Sequence, residues 1–230
     1  MKFSYKSCSL GYQILINQKP FLSPRGNSIF IPDYEFVKNI LNFFNKKIKE
    51  GEGQKNQFSR MLFFSTDNIL HNSEEIKKKI INYNVTDTIF YRAKKESKLE
   101  CIQVKEWDPL VDYAEKKLGL AKRLQYGVMP LKANNNNIKI IKKNICKFNI
   151  YEICSLYFLL QHTNSLIISL CLISENINME EAFYKAHLEF YYNQEFFAKD
   201  ESLEKKLLLK KKEFTDIIEF CKHLKFNWSL

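Results

Sequence analysis

Residues Ile153–Ile173 read ICSLYFLLQHTNSLIISLCLI, twenty-one positions without a formal charge. That length suits a membrane span. However, Gln161-His162-Thr163-Asn164-Ser165 falls in its middle, where polar groups cost most in a bilayer. The run therefore predicts a helix buried among other helices. A second stretch follows at Asn178–Glu201, NMEEAFYKAHLEFYYNQEFFAKDE. Asn178 is placed to cap a helix, and Glu181 three residues on completes a box-like start. Met179, Ala182, Phe183, Ala186, Phe190 and Phe197 recur at helical spacing. The other faces carry Tyr184, His187, Glu189, Tyr191, Tyr192 and Glu195. Such a helix docks by its apolar stripe and presents tyrosines, whose rings bury area while their hydroxyls hydrogen-bond.

The whole chain has 230 residues, enough for one large or two small domains. Its hydrophobic content of 45%, with 14% aromatic residues, marks a folded protein. The net charge is +10, from 36 Lys and Arg against 26 Asp and Glu. A basic balance raises nucleic acid or acidic membranes as partners, but the basic residues are scattered and not gathered in one patch. Six cysteines at positions 8, 101, 146, 154, 171 and 221 form no Cys-x-x-Cys pair, which argues against a zinc ribbon or thioredoxin-like site. Cys146, Cys154 and Cys171 lie in apolar helical context and read as small hydrophobes. The start MKFSYKSC has no apolar core of a secretory signal. Free thiols in a reducing compartment are expected: the cytoplasm of a bacterium, or the mitochondrial matrix for a processed chain.

Along the chain, Phe3–Cys8 and Tyr12–Ile16 read as a hairpin with Gly11 at the turn. Phe21-Leu22 and Ser28–Ile31 read as further strands about the turn Ser23-Pro24-Arg25-Gly26-Asn27. Asp33 caps an expected helix to about Glu50, ended by Gly51 and Gly53. Short helices are expected at Met61–Leu70 and Glu74–Ile81. Thr88–Tyr91 is expected as a strand returning to the N-terminal sheet. Asp108 with Pro109 reads as a helix start, and Gly119 as its stop. Tyr126–Met129 is expected to be extended, and Asn134–Asn137 a turn or cap. Helices are expected at Ile138–Lys147, Ile150–Ile173, Asn178–Phe197 and Glu201–Leu224. The fold class is α+β: an N-terminal antiparallel sheet-and-helix domain over 1–90, then an orthogonal helical bundle over 91–230.

Several chemistries have no support. There is no Gly-x-x-x-x-Gly-Lys-Ser/Thr loop, and the chain has only six glycines. His71, His162, His187 and His223 are dispersed, with no His-Glu-x-x-His pair. Cys221 and His223 project from different faces of a helix. Glu189 and Glu195 also point in different directions, and no partner motif makes them an acid/base pair. No catalytic residue, metal site or cofactor is expected.

The two C-terminal helices resemble the assembly chaperones that attend the alpha subunit of the soluble head of ATP synthase. The family pattern is Thr-Gly-Ser-Leu, then Glu-Glu-Ala-aromatic, then Ala-x-Leu-acid-acid-x-aromatic-Gln-x-x-x-Trp-Gly. Here it reads Thr163-Asn164-Ser165-Leu166, Glu180-Glu181-Ala182-Phe183, Ala186-His187-Leu188-Glu189-Phe190-Tyr191-Tyr192-Asn193 and Phe197-Ala198. Asn164 stands for a glycine, Phe190 for the second acid, Asn193 for the glutamine, and Phe197-Ala198 for Trp-Gly. Asp87–Ala93, DTIFYRA, matches a signature ending Tyr-Arg-Ala, and Gln103–Leu110, QVKEWDPL, matches Gln-x-x-x-Trp-Asp-Pro-Leu. Ile16-Asn17-Gln18-Lys19-Pro20, Ser23-Pro24-Arg25-Gly26 and Ile31-Pro32 echo the family's N-terminal steps. The matches run in order along nearly the whole chain.

The resemblance implies a non-enzymatic monomer that holds the unassembled alpha subunit until the beta subunit arrives. The implied contact residues are Glu189, Tyr191, Tyr192, Glu195, Phe197, Asp200 and Arg92. Each has a plainer reading. Glu181, Lys185 and Glu189, spaced four apart, also fit an exposed ion-pair ladder worth a few tenths of a kcal/mol per pair. Arg92 either clamps a partner carboxylate or pins a domain junction. Trp107-Asp108-Pro109 reads as a buried anchor and helix start. The run Lys205-Lys206 to Lys210-Lys211-Lys212 reads as a solvated face, and is also where RNA or another acidic surface would bind in the rival reading.

Overall fold

The computed structural model describes residues 2–49, 56–127, 129–197 and 201–228. The chain opens on a hairpin in which β1 (Phe3–Cys8) pairs antiparallel with β2 (Gly11–Ile16). Gly11 has φ 109°, and a Cβ there would lie 2.4 Å from the Ile31 carbonyl oxygen, so both conformation and space require glycine. β2 also pairs with two short strands, β3 (Lys19–Pro20) and β4 (Phe30–Ile31). The strands expected at Phe21-Leu22 and Ser28–Ile31 are thus shorter and shifted. Leu22 and Ser28 form only an isolated bridge, because the loop between them is tied elsewhere.

That tie comes from the helices. Asp33 accepts the Phe36 N–H at 2.9 Å and starts α1 (Tyr34–Lys49). Its expected stop at Gly51 and Gly53 lies outside the described residues. α2 (Gln57–Phe64) passes through a π-helical turn, Ser65–Ile69, into α3 (Leu70–Thr86), which kinks at Asn72. The two short helices expected here are one interrupted helix. The wide turn buries Asp67, whose carboxylate accepts from the Ser23 hydroxyl and from Asn27 Nδ2 at 2.8 Å. A buried carboxylate needs such partners, and the loop over Ser23–Asn27 supplies them.

Thr88–Phe90 form a 3₁₀ turn, and β5 (Tyr91–Arg92) pairs parallel with β6 (Gln125–Tyr126). The expected return of Thr88–Tyr91 to the N-terminal sheet does not occur. α4 (Lys98–Leu118) starts eleven residues before the expected Asp108, at Ser97, whose hydroxyl accepts the Glu100 N–H at 3.2 Å. Pro109 sits inside this helix, a position that removes one backbone hydrogen bond. The helix ends at Gly119 in the left-handed region, φ 71°.

α5 (Asn135–Ile145) is capped by Asn134, and α6 (Ile150–Thr163) by an Asn149–Glu152 capping box. α7 (Leu166–Ile173) follows after a break at Asn164, φ 51°. The expected single helix over 150–173 is therefore two. Asp87 holds the break by accepting the Ile167 N–H at 3.0 Å, while Thr88 donates its N–H and hydroxyl to the Asn164 carbonyl. The uncharged run is buried as expected: Cys154, Leu156, Leu159, Leu160, Leu170 and Cys171 expose nothing. Among the described residues no helix is long and apolar enough to cross a membrane. Cys146, by contrast, is exposed at the end of α5 and is no part of the core.

α8 (Met179–Ala186), α9 (Leu188–Phe196) and α10 (Glu201–Cys221) complete the chain. Stacked and edge-on rings carry the core from α1 through α2 to α10. Phe43 lies 4.0 Å from Phe58, Phe58 5.0 Å from Phe220, and Phe220 5.3 Å from Phe36. Asn39 Nδ2 donates to the Glu219 carbonyl at 2.8 Å and fixes α10 against α1. The result is an α+β fold, a small antiparallel sheet followed by packed helices.

Candidate partner-binding surface

α4 is the floor of the site. Gln103, Trp107, Leu110, Val111 and Ala114 recur at helical spacing and are all buried. α8 and α9 lie on the adjoining side. Asn178 accepts the Glu181 N–H at 3.0 Å, Glu181 reaches back to the Asn178 N–H at 2.8 Å, and α8 begins there. Ala182 and Phe183 bury its apolar face.

The expected helix over Asn178–Phe197 breaks at His187, which has φ −114° and ψ 22°. Side chains from α4 support the break. Trp107 Nε1 donates at 2.9 Å to the Lys185 carbonyl, the group a continuous helix offers to residue 189. Lys185 Nζ turns away from α8 to Glu106, meeting its carboxylate at 2.6 Å and its carbonyl at 3.0 Å. The Glu181–Lys185–Glu189 ladder therefore does not form. His187 Nδ1 lies 2.9 Å from the Phe183 carbonyl with its ring 4.3 Å from Phe183, and burial pushes its pKa down.

Past the break, Glu189 enters the first turn of α9, where the helix dipole favours an anion. It accepts from Gln103 Nε2 at 3.0 Å. The same amide's Oε1 accepts the Ala93 N–H at 2.8 Å. One fully buried glutamine thus connects the Tyr91-Arg92-Ala93 segment, α4 and the start of α9.

The aromatic residues sit around a cleft of about 380 Å³ lined by Ile102, Tyr184, Leu188, Tyr191, Tyr192 and Glu195 among others. Tyr184 is 40% exposed and Phe197 77%. Tyr191 and Tyr192 are half-buried, and Glu189 and Glu195 exposed. Tyr184 and Tyr191 rings lie 5.3 Å apart, and Tyr192 and Phe196 rings 4.8 Å. Lys98 Nζ stands 3.5 Å from the Phe196 ring centre, a cation–π contact between α4 and α9. Partial burial pushes the Tyr184 and Tyr191 hydroxyl pKa values up, so both remain proton donors at neutral pH.

Glu189, Tyr191, Tyr192, Glu195 and Phe197 therefore share α9 and the turn that ends it. Asp200 lies outside the described residues. Arg92 is elsewhere and buried. Its Nη2 is 2.8 Å from Asp108 Oδ1, an ion pair without hydrogen-bond alignment, and its Nε donates to the Ile89 carbonyl at 3.1 Å. The guanidinium also lies 5.3 Å from the Trp107 ring, and Nη1 has no hydrogen-bond partner. Among the described residues, Arg92 thus meets the site from beneath, through Asp108 and Trp107 of α4. Sequence reasoning missed Lys98, Ile102 and Phe196. Had α4 been started at Ser97, its N-terminal turns would have pointed to the first two.

The family model described as ATP12 chaperone protein matches residues 2–115. Among solved structures, Atp12 from Paracoccus denitrificans superposes with a TM-score of 0.83 at 19% identity, over 96% of this chain and 95% of that one. An aspartate-to-lysine mutant of the same organism's Atp12p gives 0.85 at 18% identity, over 96% and 94%. An Agrobacterium tumefaciens protein gives 0.83 at 22% identity, over 97% and 84%. These likenesses extend the shared fold across the C-terminal helices that the family model does not reach. Ordered motifs, a family match over the N-terminal half and a common fold throughout lead to one assignment: this chain belongs to the ATP12 family of chaperones for ATP synthase assembly.

Proposed function

We propose that the cleft between α4 and α9 captures the unassembled alpha subunit of ATP synthase and shields it until the beta subunit takes its place. The observation that carries this reading is the combination, at one rim, of exposed and half-buried rings with carboxylates that form no ion pair among the described residues: Tyr184, Tyr191, Tyr192 and Phe197 beside Glu189 and Glu195. An unassembled ring subunit exposes apolar surface that its neighbours would cover, and such patches aggregate. Aromatic side chains cover this kind of surface at low entropic cost, with tyrosine hydroxyls tolerating a wet rim. On a chain of net charge +10, carboxylates at the rim set register and reject acidic partners. A micromolar complex is worth about 8 kcal/mol. A larger final interface displaces it by competition, and the chaperone needs neither ATP nor a catalytic group.

Glu189→Lys tests the reading. The variant is expected to keep the thermal midpoint of the parent within a few degrees and to lose most of its co-purification with the alpha subunit. Capture at the parental level would remove Glu189 from the contact surface. The rival reading, RNA on the lysine-rich α10, predicts binding that falls steeply with salt. The α8–α9 rim predicts a much weaker salt dependence.

A further inference from the structure

The first three turns of α10 are solvent-exposed on almost every side. Only Leu207 and Lys211 are half-buried there, toward α8, where Lys211 pairs with Glu180 at 2.5 Å. On the outward side, Lys205, Leu208, Leu209 and Lys212 stand at i, i+3, i+4 and i+7, the spacing of one helical face. Leu208 is 68% exposed and Leu209 66%. Two bare leucines are thus framed by a lysine one turn to either side. Lys206 and Lys210 flank them. Among the described residues Lys205, Lys206 and Lys210 form no ion pair. The acidic groups on this stretch are Glu201, Glu204 and Glu213, and Glu213 faces His162.

We propose that this face of α10 docks on the surface of an anionic lipid bilayer, through Leu208 and Leu209 inserted between the headgroups and the surrounding lysines paired with lipid phosphates. Charge and shape select that occupant. A basic, leucine-bearing helix face lies in the plane of an anionic interface, with lysine stems reaching up to the headgroups. RNA is the poorer fit, because the face offers no aromatic ring for bases to stack on. A second copy of this chain would bring Lys205 and Lys212 against their own equivalents, a like-charge contact. Leu209 and Lys212 also border a cleft of about 290 Å³ against the start of α2, but its other walls, Asn56, Gln57, Arg60, Glu213 and Asp216, are polar or charged, unlike the apolar groove a partner helix needs. This contact is independent of the α8–α9 rim and involves no membrane-spanning segment.

Vesicle flotation of the full chain tests it, with phosphatidylglycerol–phosphatidylcholine vesicles against phosphatidylcholine alone. The parent is expected to float with the anionic vesicles only and to be released by high salt. Lys205→Glu with Lys206→Glu should lower the partition coefficient by about twentyfold or more, given roughly fivefold for each basic residue near the surface. Leu208→Ser with Leu209→Ser should lower it by roughly tenfold or more at unchanged charge. Lys6→Glu with Lys78→Glu alters net charge equally at a distance and should leave it unchanged. All six sites are exposed, so equal thermal midpoints are expected and are to be measured alongside. No flotation of the parent overturns the proposal. Equal losses in both lysine pairs would mean that only net charge matters. Full binding by the leucine variant would mean a simple polyanion site, RNA included. Either result also overturns it.

Discussion

Replacing Gln103 by methionine probes the scaffold beneath the rim. Methionine has nearly the volume of glutamine, so little cavity is created. What is lost is polar. Oε1 no longer accepts the Ala93 N–H, now 2.8 Å away, and Nε2 no longer donates to Glu189 at 3.0 Å. The two losses differ in size. Gln103 is fully buried, and the Ala93 amide loses its acceptor beside it. An unsatisfied donor costs about 1–3 kcal/mol. Glu189 is exposed and regains water, so its share is under about 1 kcal/mol. Gln103→Met should therefore destabilise the chain by about 2–3 kcal/mol, while Glu189→Gln, which keeps an acceptor oxygen, should cost under about 0.5 kcal/mol. Urea unfolding of both single variants and the double variant measures this, with the coupling read from the cycle. A cost below about 0.5 kcal/mol for Gln103→Met, or a coupling larger than the Gln103→Met cost itself, would refute the account.

Two buried groups make stability depend on pH in opposite directions. Burial raises the Asp87 pKa to about 6, so its contribution is complete in acid and is lost as pH rises through about 6. Burial lowers the His162 pKa to about 4, so its contribution is complete near neutrality and is lost as pH falls toward 4. Between pH 4 and 6 the two oppose each other; His162→Gln should lose less stability on acidification than the parent and Asp87→Asn more, as read from urea midpoints across that range. Asn164 occupies the left-handed region at φ 51°, so Asn164→Gly should stay within about 0.5 kcal/mol of the parent and Asn164→Val should cost about 1–2 kcal/mol or more in the same assay. Native maleimide labelling with mass spectrometry should modify Cys8, Cys101 and Cys146, which are exposed. It should spare Cys154, Cys171 and Cys221 until unfolding, since burial pushes all three thiols up, Cys171 and Cys221 to about 12.

Periodicity made the strongest elements legible. The hairpin, α1, and the burial of Ile153–Ile173 follow from spacing, capping and the cost of polar groups in lipid. Boundaries set by distant partners were not legible. Nothing local to Lys185 says that an indole 78 residues earlier will engage its carbonyl. Nothing local to Asn164 says that Thr88 will hold its carbonyl. Asp108-Pro109 misled for a physical reason: a cap-and-proline pair has the same local signature at a helix start and in a helix whose packing tolerates a missing hydrogen bond. At the site, the rim residues of α9 were visible because tyrosines and carboxylates cluster in sequence. Their support was not, because Gln103 and Lys98 acquire meaning only from what they touch.

That division explains what the DTIFYRA and QVKEWDPL segments do in this chain. Their side chains are mostly inside: Arg92 is paired with Asp108 and lies beside Trp107, Trp107 holds the Lys185 carbonyl, and Gln103 joins Ala93 to Glu189. None of these buried groups is free to meet a partner. They fix the angle at which α9 leaves the body after α8, and so decide whether tyrosines and carboxylates face one cleft. Under the proposed reading, changes at the rim, at Tyr191, Tyr192 or Glu195, would alter a contact. Changes in the buried set would instead move the whole rim. If the rim is the capture surface proposed above, it is where sequence is free to follow the client, and the polar bridge under it is where substitution should be least tolerated.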